Sequence, residues 1–141
     1  MLLTGGCLCR AVRYRVETPS ELHYFCHCTD CQRHGGGPYH AAIVVAWADF
    51  ELTGETTMGT VTAESGRTIA RHHCPACGSH LFVTQWPVAE RVSVKAGSLD
   101  DPSIFRPAFE IWTQSRAPWA SPLPGMTSHA QGFVGELPRW R

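Results

Sequence analysis

Gly5-Gly6-Cys7-Leu8-Cys9-Arg10-Ala11-Val12-Arg13-Tyr14-Arg15-Val16 sets two cysteines one residue apart, then alternates Val12, Tyr14 and Val16 with Arg13 and Arg15. That alternation is the period of a half-buried strand with one wet face. Outward from it, further short strands are predicted near 22–25, 39–46, 57–63, 68–72, 81–85, 92–96 and 109–112. Turns are predicted at Thr53-Gly54, Ser65-Gly66 and Asp100-Asp101-Pro102. Glycine and proline punctuate the chain, and no stretch keeps apolar residues at helical spacing for the length of a stable amphipathic helix. One helical turn is expected over 29–34, stopped by Gly35-Gly36-Gly37. The expected fold class is therefore mainly β: a compact domain of short antiparallel strands with little helix.

Composition supports one folded unit over residues 1–141. With 43% hydrophobic and 17% charged residues, the chain carries enough apolar surface to offset the entropy of ordering it. From Arg116 onward, recurrent Pro and Gly make regular structure improbable, while Trp119, Phe133 and Trp140 are expected to dock on the domain as packing. Twelve basic and twelve acidic residues give no cationic excess, which argues against nucleic acid as a partner. The longest apolar run, 41–48, falls well short of the roughly 20 residues of a membrane-spanning helix. The first residues lack a basic start followed by an apolar stretch, so the expected compartment is the cytoplasm.

The seven cysteines fall into three groups: Cys7 and Cys9, then Cys26, Cys28 and Cys31, then Cys74 and Cys77. An odd number cannot close into intramolecular disulfides without one left over, and clustered thiols in a reducing compartment point to metal, with disulfide pairing or a redox dithiol as the lesser reading. Cys74-Pro75-Ala76-Cys77-Gly78 is a knuckle whose tight turn presents two thiolates to one ion. Tetrahedral zinc wants four ligands, and Cys7 with Cys9 is the natural complement. An ion so held would close a long loop and contribute to folding. Cys26, Cys28 and Cys31 then remain as three ligands with an open position, the pattern of a catalytic zinc. Spacing leaves two alternatives open: a different sharing of the cysteines, and closure of the second site by a histidine such as His27, His34, His72 or His73.

Gly5-Gly6-Cys7-Leu8-Cys9, Cys26-His27-Cys28-Thr29-Asp30-Cys31-Gln32-Arg33, Ser65-Gly66 and Cys74-Pro75-Ala76-Cys77-Gly78-Ser79, with Ile111-Trp112 and Ala117-Pro118-Trp119 near the end, resemble the glutathione-dependent formaldehyde-activating enzyme family, related to centromere protein V. The resemblance covers roughly residues 3–118. It implies a β-tent zinc fold, with a structural zinc at Cys7, Cys9, Cys74 and Cys77 and a second zinc at Cys26, Cys28 and Cys31. The activity it implies is condensation of glutathione with formaldehyde to S-hydroxymethylglutathione, carbon-sulfur lyase chemistry when written in reverse. Glutathione carries two carboxylates, so cations are expected near the second zinc: Arg33 first, with Arg71 and Arg116 behind it. His27 and His34 are candidate proton carriers.

Two functions from different classes follow. One is a zinc-dependent lyase or thiol-adduct synthase using two zinc ions and a small thiol. The other is a non-catalytic zinc scaffold that binds a protein partner through an apolar patch around Trp112 or Trp119, with a histidine closing the second zinc. A β domain of this size can also pair edge strands into a homodimer.

Overall fold

A computed structural model describes residues 2–135 apart from Thr18 and Val88. The strands are β1 (Leu3–Gly6), β2 (Arg13–Val16), β3 (His23–Cys26), β4 (His40–Ala46), β5 (Phe50–Thr53), β6 (Thr57–Thr62), β7 (Thr68–His73), β8 (His80–Gln85), β9 (Arg91–Lys95), β10 (Phe109–Ile111) and β11 (Thr127–Ser128). Among the described residues one α-helix, α1 (Thr29–Gly35), lies between β3 and β4. The mainly β expectation holds, and α1 falls where the helical turn was predicted. Its end is set by Gly36, whose left-handed conformation (φ 71°) lets its N–H donate to the Gln32 carbonyl.

Two sheets form: β1-β2-β5, and an eight-stranded sheet in the order β11-β10-β3-β4-β9-β8-β7-β6. Strand β2 buries Tyr14 and Val16 and leaves Arg15 exposed, as its alternation requires. Strand β4 is different. Its run Ala42-Ile43-Val44-Val45 is buried throughout, because a central strand covered on both faces has no wet side. The main core lies between the sheets, where Leu3, Val12, Tyr14, Val16 and Phe50 meet Ile43, Val45, Phe82, Val92 and Val94. Close approach here demands a glycine: a Cβ on Gly5 would stand 2.1 Å from the Tyr14 hydroxyl and 2.3 Å from the Ser98 carbonyl.

The structure departs from the sequence expectations in three places. Strands β1 and β5 were not anticipated; both are short, and β1 ends in Gly5 and Gly6, poor strand formers held by pairing with β2. Antiparallel pairing is general, but β10 runs parallel to both β3 and β11, which the long connections before each partner permit. The tail supplies β11, and Phe133 packs edge-on against Phe109 at 4.8 Å. Trp119 does not dock and is 72% exposed in a turn; Trp140 lies outside the described residues.

Candidate metal centres and the face that carries them

The first cysteine pair sits in a tight turn after β1. Arg10 N–H donates to the Cys7 carbonyl at 3.1 Å, Val12 N–H donates to Cys7 Sγ at 3.2 Å, and Arg10 takes a left-handed conformation (φ 65°) to close the turn. The knuckle between β7 and β8 closes in the same way. Gly78 N–H donates to the Cys74 carbonyl at 2.9 Å, with Gly78 itself at φ 75°. Ser79 Oγ stitches the two turns together, accepting from Leu8 N–H at 3.0 Å and lying 3.2 Å from Cys77 Sγ.

This brings the sulfurs of Cys7, Cys9, Cys74 and Cys77 within 4.8 Å of one another. Cys7 to Cys9 is 3.6 Å and Cys9 to Cys74 is 3.8 Å. Four sulfurs at zinc-thiolate bond length around a tetrahedral ion stand about 3.8 Å apart, so the donor set fits zinc. The electrostatics point the same way. Contacts from the Ser79 side chain and backbone pull Cys77 down to about 5, whereas Cys9 is pushed up to about 11 by Cys7 and Cys77 against a lowering contact from the Ala11 backbone. Thiols crowded this closely compete to carry charge, a conflict that a cation at their centre resolves.

The second group is built differently. Cys26 ends β3, Cys28 is the N-cap of α1 and accepts from Cys31 N–H at 3.3 Å, and Cys31 lies in the first helical turn. Their sulfurs also lie within 4.8 Å of one another. Hydrogen bonds from Cys26 and Cys31 pull Cys28 down to about 2, while contacts with Cys28 and Cys31 push Cys26 up. No histidine, aspartate or glutamate joins these three among the described residues.

None of the histidines that spacing left as candidates joins the three sulfurs. His72 lies between Thr56 and Thr84, its ring nitrogens 3.3 and 3.1 Å from their hydroxyls. His34 stacks on His80 with ring centroids 4.3 Å apart, and burial followed by the field of His80 brings it down to about 4. His73 pairs with His80 in the β7–β8 register. His27 donates from Nε2 to Glu110 at 2.8 Å, and its carbonyl accepts from the Gln32 side chain at 2.7 Å. Glu110, 2% exposed, also accepts from Ser128 and Arg116. Burial opposes its ionisation, but hydrogen bonds from Ser128 and His27 and the charge of Arg116 hold its carboxyl below the usual range. This network braces the backbone between Cys26 and Cys28 from behind.

Register decides what faces the three sulfurs. Cys26 pairs with His40, Ala42 with Lys95, Ser93 with Val83, and Val83 with Arg71. Paired residues and residues two apart share a sheet face, so Cys26, His40, Lys95 and Arg71 project to one side. The main core and the four-cysteine group lie on the other. Arg71 is 8% exposed, and its charge favours the thiolates of Cys28 and Cys31, although Cys31, against a lowering contact from Cys26, is pushed up to about 11 by Cys28 and burial. Lys95 feels all three thiols, and burial pushes its ammonium down against their pull. Arg33, the cation expected first, stands exposed on α1 with no ion pair among the described residues. Arg116 instead braces Glu110. Neither Lys95 nor Glu110 stands out in the sequence as a site residue. The period-2 pattern Arg91-Val92-Ser93-Val94-Lys95 puts Lys95 on the face opposite the buried valines, and strand order decides which chemistry it faces.

Fold and donor sets together define a mainly β protein with two separate cysteine centres able to hold metal. The chain belongs to the glutathione-dependent formaldehyde-activating enzyme family, whose model matches residues 2–115. It is 36% identical over 111 residues to a Halomonas elongata protein named "Putative glutathione-dependent formaldehyde-activating enzyme", covering 71% of this chain and 67% of that one. A crystal structure of a Rhodobacter sphaeroides protein is similar in fold, with a TM-score of 0.51 at 20% identity, over 69% of this chain and 87% of the other. Among the described residues no helix is long and apolar enough to cross a membrane.

Proposed function

We propose that this chain is a zinc-dependent carbon-sulfur lyase or thiol-adduct synthase that joins a small thiol, glutathione by family, to formaldehyde or a similar aldehyde. The observation that carries the proposal is the inequality of the two centres: four sulfurs converge in one, three in the other, and no further protein ligand joins the three among the described residues. Cys7, Cys9, Cys74 and Cys77 would hold a structural zinc, and Cys26, Cys28 and Cys31 a second. Bound there, zinc would lower the pKa of a thiol taken as its fourth ligand and so supply a thiolate at neutral pH. In the reaction the thiolate sulfur forms a bond to the carbonyl carbon, the carbonyl electron pair moves to oxygen, and a proton completes the hydroxymethyl thioether. The reverse breaks the same carbon-sulfur bond.

This chain's residues prepare that step. His27, Glu110 and Gln32 fix the backbone that presents Cys26 and Cys28, and Gly36 ends α1 one turn beyond Cys31. A cleft of about 730 Å³ lies beside the four-cysteine turns, lined by Cys7, Leu8 and Ser79, and reaches Tyr39, His40 and Lys95 at its other side. The test is zinc per chain in protein purified without chelator, then metal-ligand distances by X-ray absorption before and after glutathione. Two zincs, one exchanging a light ligand for an added sulfur, are the expected result. Two shells that ignore glutathione would sink the proposal and favour a scaffold.

A further inference from the structure

Arg71 and Lys95 are a problem for the fold unless the site explains them. A guanidinium as buried as Arg71 normally answers a carboxylate, yet no hydrogen bond or ion pair to Asp or Glu holds either cation among the described residues. Strands β3, β4, β7, β8 and β9, which build this face, contain no acidic residue. The groups beside these cations that become anionic on holding a metal are Cys26, on the same sheet face, and its neighbours Cys28 and Cys31.

Counting charge shows that those thiols are not enough. Three thiolates and a divalent ion sum to minus one, while Arg71 and Lys95 contribute plus two. The neighbouring histidines add nothing at neutral pH. Burial holds His34, His40 and His80 below their ordinary values, and both ring nitrogens of His40 lack a hydrogen-bond partner. One positive charge is left over. A neutral fourth ligand leaves it uncompensated, whereas an anionic one cancels it. Lys95 also lines the cleft beside His40, so its side chain is reached from solvent.

We propose that Arg71 and Lys95 are specificity-determining residues that make the Cys26–Cys28–Cys31 centre select an anionic fourth ligand over a neutral one. The inference rests on the metal-centred function above and adds the charge class of what the site accepts. Among the described residues the four-cysteine centre has no such buried pair: Arg13 beside it is already engaged by Asp100.

The test is calorimetric titration of the zinc-loaded full chain with three probes at one pH: thiocyanate, an anion without a thiol; imidazole, a neutral metal ligand; and glutathione. In Lys95→Gln, thiocyanate binding should weaken by about tenfold or more, and imidazole binding should stay within about twofold. Lys95→Arg, which keeps the charge, should restore most of the thiocyanate affinity, and Arg71→Gln should repeat the Lys95→Gln pattern. The inference is overturned if wild-type protein does not bind thiocyanate, if Lys95→Gln weakens imidazole as much as thiocyanate, or if that variant loses the second zinc, which would make Lys95 a metal-retention group. Should thiocyanate depend on Lys95 while glutathione adds no sulfur to either shell, the anion site stands and the thiol-activating function falls.

Discussion

The two cysteine centres use the same donor atom to opposite ends. Cys7, Cys9, Cys74 and Cys77 come from two turns far apart in sequence, and Cys7 and Cys74 are part of the main core between the sheets. An ion there would cross-link the small sheet to the β7–β8 hairpin, so folding and binding would be one event. Cys26, Cys28 and Cys31 come from a single strand-to-helix junction on the opposite face of the large sheet. Their geometry is fixed by the Glu110 network and by the α1 N-cap, with no long loop to close. Converging sulfurs alone do not make a site structural or reactive. What separates the two is the sequence distance the ligands span and the charges left unpaired around them.

The largest test of this contrast is a pair of serine variants. Cys74→Ser should abolish the cooperative thermal transition, because it breaks the tie between distant segments. Cys28→Ser should keep the fold, with Tm within about 5 °C of wild type, while losing the second metal. Circular dichroism melts with zinc analysis decide it, and equal losses of fold in both variants would erase the distinction between the centres.

Next in size is the brace behind the three sulfurs. Glu110→Ala strands His27 and Arg116 in a buried site and should cost about 3 kcal/mol in urea unfolding. A loss below about 1 kcal/mol would mean that the junction holds itself. The same carboxylate predicts a pH dependence. Its folded-state pKa lies below the unfolded value, so its contribution is complete above the ordinary glutamate pKa and is lost as pH falls through the folded value. The acid limb of the stability curve should therefore flatten in Glu110→Gln; an unchanged limb would assign acid sensitivity to other groups.

The smallest effect is expected in the first centre. Arg10 holds a left-handed backbone with an exposed side chain, so Arg10→Gly should raise stability by about 1 kcal/mol, read as a Tm rise. A fall in Tm would show that the Arg10 side chain does more than occupy the turn.

Much of this was legible early. The period-2 runs located β2 and most of the large sheet, and the three cysteine groups marked the residues that the fold brings together. Strands β1, β5 and β11 were missed because their signals are weak: four residues or fewer, with glycines in β1, held by partners rather than by propensity. Arg33 drew attention through proximity in sequence. On a helix, however, two residues beyond Cys31 points away from the Cys31 side, and Arg33 is exposed.

The sequence by itself determined the donor atoms, their grouping and the β character, because ligand spacing and side-chain alternation are local properties written along the chain. Only the tertiary structure decided that Glu110 stands behind His27 and that Arg71 and Lys95 face the three sulfurs. Those meetings depend on strand order and register, which place β10 beside β3, and β7 and β9 within reach of a junction dozens of residues earlier.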